Sequence, residues 1–158
     1  MAALFLGVFL AVVDRDWGYQ VEIPPGWKEL PATARPPEVL LAWTHERSGR
    51  LVMVSRVTGP SDDPPLRVVE AGIKDKAHGY RRISARRRSV GPGRKVKVPA
   101  WDLWFHLERG GKPVTMGARF LFYRSYALSI LVDVPGRGPP SAEARRIVES
   151  FVPPPPLP

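Results

Sequence analysis

At 158 residues, 44% of them hydrophobic, the chain has the length of one domain and can bury roughly two thirds of the surface its unfolded form exposes. It contains no cysteine, which excludes disulfides, thiol catalysis and cysteine-based zinc sites and leaves three histidines, His45, His78 and His106. The formal net charge of +9 sits in one place: Lys74 to Lys97 holds ten basic residues against the single acidic Asp75, while the rest of the chain holds 14 of each sign.

Residues 1–13 form an apolar N-terminal segment, too short to span a bilayer, which needs about 20 apolar residues. It has the length of a secretory apolar region but no positively charged start and no small-x-small cleavage site before Asp14. Three readings stand: a signal whose start lies upstream, a core helix or strand, or the remnant of a membrane anchor. The first places the protein in the cell envelope or outside, the others in the cytoplasm. Residues 14–151 are read as a single domain and 152–158 as a proline-rich tail.

Tyr19, Val21 and Ile23 alternate with Gln20 and Glu22 and are stopped by Pro24-Pro25-Gly26, a first strand and tight turn, after which Trp27 is placed to plug one end of the core. Pro31 to Pro37 is a loop. Val39 to His45 and Leu51 to Val57 read as strands joined at Ser48-Gly49, with His45 a solvated turn residue. Asp62-Asp63-Pro64-Pro65 predicts an acidic cap and a proline start to a helix, in which Leu66, Val69, Ile73 and Ala77 form one stripe as far as Gly79. Capping explains the aspartate pair better than metal binding, since no histidine or third carboxylate is near in sequence.

The basic segment follows: Arg81, Arg82, Arg86, Arg87, Arg88, Arg94, Lys95 and Lys97, interrupted by Gly91-Pro92-Gly93, with weak strand character from Ile83, Ala85 and Val90. Such a cluster attracts phosphate, nucleic acid or anionic lipid. It also suits a solvated edge hairpin, because charge protects sheet edges from aggregation, and no aromatic residues are interleaved as single-strand binding requires. As an anionic-surface site it would centre on Arg86, Arg87 and Arg88.

The clearest pattern runs from Pro99 to Pro135. Trp101, Leu103, Phe105 and Leu107 alternate through a first strand, Arg109-Gly110-Gly111-Lys112 turns the chain, and Val114, Met116, Ala118, Phe120 and Phe122 mark a second. Tyr126, Leu128, Ile130, Val132 and Val134 mark a third, across the break at Arg124-Ser125. The opposite parities also carry Trp104, Leu121, Tyr123, Ala127 and Leu131, so both faces of this antiparallel sheet are expected to be covered. Ser141 then caps a helix with Ala144, Ile147, Val148 and Phe151 on one side, and Pro153 to Pro158 should be an extended, mobile tail.

No phosphate loop, dinucleotide fingerprint, nucleophile elbow or paired-histidine motif is present in the sequence, and no cofactor or metal is assigned. Asp102, His106 and Glu108 share one strand parity, but no nucleophile accompanies them, and a surface polar row is the simpler reading.

Gly18-Tyr19-x-Val21-x-Ile23-Pro24-Pro25-Gly26-Trp27, Val98-Pro99-Ala100, Arg119-Phe120-x-Phe122, Tyr126-Ala127-Leu128 and Glu149-Ser150-Phe151, taken as an ordered set, resemble the PsbP/Mog superfamily, including its DcrB-like bacterial relatives, over residues 18–151. The resemblance implies an α+β domain: an α/β/α sandwich with a central, mostly antiparallel sheet and helices on both faces. Understood members are non-enzymatic: an extrinsic subunit of photosystem II, a binder of the Ran GTPase, and chaperones of bacterial secretion effectors. By analogy the chain is a non-catalytic binding or assembly module for a protein partner, recognised at an exposed apolar patch or groove beside the sheet. The Arg86 to Arg88 cluster and the proline tail depart from the better-known members, and no binding residue is carried over. The alternative is an anion-binding protein that uses residues 81–97.

Overall fold

Gly110 and Gly111 both take positive φ, 58° and 76°, a conformation that glycine adopts without steric penalty, and so close a two-residue turn with Arg109 opposite Lys112. In the computed structural model, which describes residues 9–57, 63–92, 96–135 and 138–158, this turn fixes the register of the longest hairpin.

In chain order the strands are β1 (Leu10–Asp14), β2 (Tyr19–Ile23), β3 (Trp27–Glu29), β4 (Val39–His45) and β5 (Leu51–Val57), followed by helix α1 (Leu66–Lys74). Then come β6 (His78–Val90), β7 (Val98–Arg109), β8 (Lys112–Phe122), β9 (Ala127–Pro135) and helix α2 (Ala142–Ser150). β1 and β2 make a two-stranded ribbon, and the other seven strands form one antiparallel sheet in the order β3-β4-β5-β9-β8-β7-β6. β1 runs across the end of the apolar segment.

Each face of the sheet has its own core, as the apolar residues of both parities require. On one face Trp43, Val54, Trp104, Leu121 and Ile130 are buried with Tyr19 and Val21 of β2 and with Ala144, Ile147, Val148 and Phe151 from α2 and its end. On the other, Leu103, Phe105, Met116, Ala118 and Phe120 are buried with Val69 of α1. Helices therefore lie on opposite faces of a mostly antiparallel sheet: the α+β sandwich expected from the sequence.

Ser141 caps α2, its Oγ accepting from the Ala144 N–H at 3.1 Å. The chain beyond α2 is fastened rather than loose: Val152 pairs with Gln20 of β2 through both backbone groups, Pro153 is buried, and Arg15 donates to the Pro155 carbonyl at 2.9 Å. Only the last residues of the predicted mobile tail are exposed.

Two local expectations are corrected. The N-cap of α1 is Pro65, which has no side-chain acceptor, so the acidic cap is absent. Asp63 instead forms an ion pair with Arg87, and Asp62 lies outside the described residues. The helix also ends at Lys74 rather than near Gly79, which takes a φ of 68° at the start of β6. Its four-residue stripe was one turn too long because Ala77 packs from the connection, not from the helix.

The basic edge strand as a candidate interaction surface

β6 is the last strand of the sheet, and among the described residues no strand pairs with its outer side. Arg81, Arg82, Arg86, Arg87 and Arg88 are all exposed on it, and Lys97 is exposed just before β7; Arg94 and Lys95 lie outside the described residues. The segment is thus a charged edge, but its arginines do not form one patch, because strand alternation sends them to both faces.

On the α1 face the arginines are answered by carboxylates. Arg82 Nη1 lies 3.2 Å from Glu70 Oε1, which also accepts from the Tyr80 hydroxyl at 2.8 Å, and Arg87 pairs with Asp63. Burial, and then the bond to Glu70, pushes the Tyr80 phenol well above its ordinary value.

On the α2 face the balance is different. Arg81, Arg86 and Arg88 stand in register with His106, Asp102 and Ala100 of β7. Asp102 stands opposite Arg86, yet it already holds the buried Arg119 guanidinium through two hydrogen bonds, Nε to Oδ1 at 2.6 Å and Nη2 to Oδ2 at 2.8 Å. Arg88 reaches Asp102 only at 3.4 Å, and Arg81 and Arg86 make no ion pair with a described residue. One carboxylate thus faces Arg86, Arg88 and Arg119, leaving a surplus of positive charge at this edge.

The polar row predicted on β7 is taken apart by the same contacts. Asp102 is 8% exposed and committed to Arg119, which overturns its reading as a surface residue. His106 bonds through Nδ1 to Thr115 Oγ1 at 3.1 Å, and Thr115 donates to the Gly138 carbonyl. Four residues of strand separate His106 from Asp102, about 13 Å, so the two do not meet as an acid–base pair. His45 is likewise no free turn residue: it bonds to Ser48 Oγ at 3.0 Å and meets the Trp27 ring edge-on at 5.2 Å between centroids.

Large exposed apolar side chains are scattered: Leu10 and Val13 on β1, Val68 on α1, Ile83 on β6, then Val96 and Leu157. Among the described residues they are spread over separate elements and do not lie on one, as the apolar patch anticipated for a binding module would. An open depression of about 580 Å³ lies beside β1 and is lined by Val12, Val13, Asp14, Arg15, Asp16 and Leu41, away from the basic edge.

Sequence reasoning missed Arg119 and its partner, although the signal existed. A lone arginine in the run Met116 to Phe122 has to be paired if it is buried, and the two-residue turn places Asp102 opposite it.

No family model and no curated protein matches the sequence. Solved structures do match. Cyanobacterial PsbP (CyanoP) from Synechocystis superposes with a TM-score of 0.64 at 13% identity, over 97% of this chain and 96% of that one. The Saccharomyces cerevisiae Ran-binding protein Mog1p gives 0.61 at 10% identity, over 92% and 95%. LpqN of Mycobacterium tuberculosis, involved in cell envelope biogenesis, gives 0.59 at 18% identity, over 92% and 91%. What these proteins share with the chain is the arrangement of sheet and helices described above.

Proposed function

We propose that this chain, a domain of the PsbP/Mog-like fold, is a non-enzymatic binding module that holds a protein partner along its basic edge strand. The carrying observation is β6 itself: 13 residues of strand whose outer side is paired by no strand among the described residues, with exposed arginines on both faces. Structural relatives support a binding role by analogy, since Mog1p is a Ran-binding protein. Surface charge of one sign beside an open backbone edge gives both steering toward an acidic partner and a template for docking.

A second reading is favoured by one observation, the surplus charge around Asp102. Arg81, Arg86 and Arg88 would then bind an anionic surface, nucleic acid or lipid, with no protein partner involved.

Affinity capture separates the two. The protein and an Arg86→Glu/Arg88→Glu variant are used as bait in native extract, with neither nuclease nor detergent added, and with washes at low and high salt. A protein retained by the first bait and lost from the second supports the binding module. Recovery of nucleic acid or lipid alone, released by salt, supports the anion-binding reading and overturns the first.

A further inference from the structure

Within β6 the two register shifts fall between His78 and Arg81 and between Arg82 and Ser84; from Ser84 to Val90 the strand runs unbroken against β7. Regular strand exposes alternate N–H and C=O groups on its free side, so this stretch presents about 23 Å of unpaired ladder, enough for a partner strand of about seven residues. Its side chains alternate: Arg86 and Arg88 on the α2 face, Arg87 on the α1 face.

We infer that Ser84–Val90 receives an extended acidic segment of the partner as an added strand, with carboxylates at alternate positions beside Arg86 and Arg88. The inference deepens the binding-module reading and rests on it. Charge decides the occupant. A second copy of this chain pairing edge to edge would set arginine against arginine, whereas directly opposed unlike charges stabilise a cross-strand pair. A polyanion lying on one face would meet Arg81, Arg86 and Arg88 but not Arg82 and Arg87, which are on the other face beside Glu70 and Asp63. Bases would also find no platform at the nearest tryptophan on that face, since Trp104 is 6% exposed and lies under the Arg145 guanidinium. An added strand is the geometry that takes up backbone groups and arginine charge together.

The test uses the full chain and a capped synthetic peptide alternating glutamate and valine over about seven residues, the length of the open stretch. Fluorescence anisotropy reads binding, and amide hydrogen exchange reads the site. The expected result is binding that slows exchange of outward amides within Ser84–Val90 by at least about tenfold at saturation, through the new ladder bonds. Binding should fall by about tenfold or more in Arg86→Glu/Arg88→Glu, and with a peptide carrying a central proline, which cannot complete the ladder and leaves the protein unaltered. Equal binding of the proline peptide, or binding with no change in exchange at Ser84–Val90, overturns strand addition. If single-stranded DNA binds and the peptide does not, the surface takes a polyanion and the inference is likewise overturned. Should exchange stay unchanged while the partner captured from extract is still lost on charge reversal, strand addition fails and the binding module stands; if capture fails too, both fail.

Discussion

Arg119 and Asp102 face each other across β7 and β8 beneath α2, and the same guanidinium donates through Nη1 to the carbonyls of Glu149 at 3.0 Å and Phe151 at 3.2 Å. One side chain therefore neutralises a buried carboxylate and satisfies the open carbonyls where α2 ends. Removing it leaves the two carbonyls without this donor and the carboxylate with only the half-exposed Arg88, 3.4 Å away. Arg119→Met should cost about 3–5 kcal/mol, as breaking buried pairs does. Arg119→Lys should cost nearly as much, since an ammonium cannot reproduce the two-pronged contact. Urea unfolding checks both, and adding Asp102→Leu to Arg119→Met should recover part of the loss. A cost below about 1 kcal/mol for Arg119→Met would place the pair among the weak surface bridges.

Gly117 lies directly opposite Trp104, whose ring crosses it: a Cβ at Gly117 would collide with the ring atom Cη2. The contact is with the rigid body of an indole on a packed face, so Gly117→Ala must displace the ring or the strand. We expect a loss of about 1–3 kcal/mol, the usual cost of overpacking, with a shift in tryptophan fluorescence. Trp104→Leu in the same background should restore part of the stability, because the smaller side chain vacates the space.

The turn between β1 and β2 is tied to the sheet by two phenols: Tyr123 donates to the Gly18 carbonyl and Tyr126 to that of Trp17 at 2.8 Å. Burial pushes Tyr19, Tyr123 and Tyr126 above their ordinary value of 10.0. Unfolded phenols lose their protons near pH 10 while the native ones keep them, so above that pH the native state binds more protons than the unfolded state. Stability is therefore full below about pH 9 and falls as pH rises through 10. Urea midpoints between pH 8 and 11 should decline for the native sequence, and with a shallower slope for Tyr123→Phe/Tyr126→Phe, which should start less stable. Identical slopes would contradict the assignment.

How much of this was legible in the sequence depends on whether the deciding contact was local. The hairpin of β7 and β8 was readable because alternation marks each strand and Gly110-Gly111 sets the turn. The two-sided core was readable from Trp104 and Leu121 on the second parity. The α1 cap was misread because a local pattern, Asp62-Asp63 before two prolines, was outweighed by Arg87, a cross-sheet partner that sequence proximity does not reveal. The basic segment was correctly seen as an edge, but as one patch. The division of Arg86, Arg87 and Arg88 between faces follows from strand alternation alone, whereas the grouping of Arg81 with Arg86 and Arg88 depends on the register shift before Ser84, which no local pattern encodes.

The most direct measurement is site-specific photo-crosslinking from the two ends of the sheet. A benzoylphenylalanine is placed at Ser89 on β6 or, as the control, at Glu29 on β3, both exposed, and each protein is irradiated in nuclease-treated extract. A discrete protein adduct from Ser89, absent from Glu29 and lost when Arg86→Glu/Arg88→Glu is added, is the predicted result. Adducts of equal yield from both positions, or an adduct at Ser89 that survives charge reversal, would contradict a binding surface built on the basic edge.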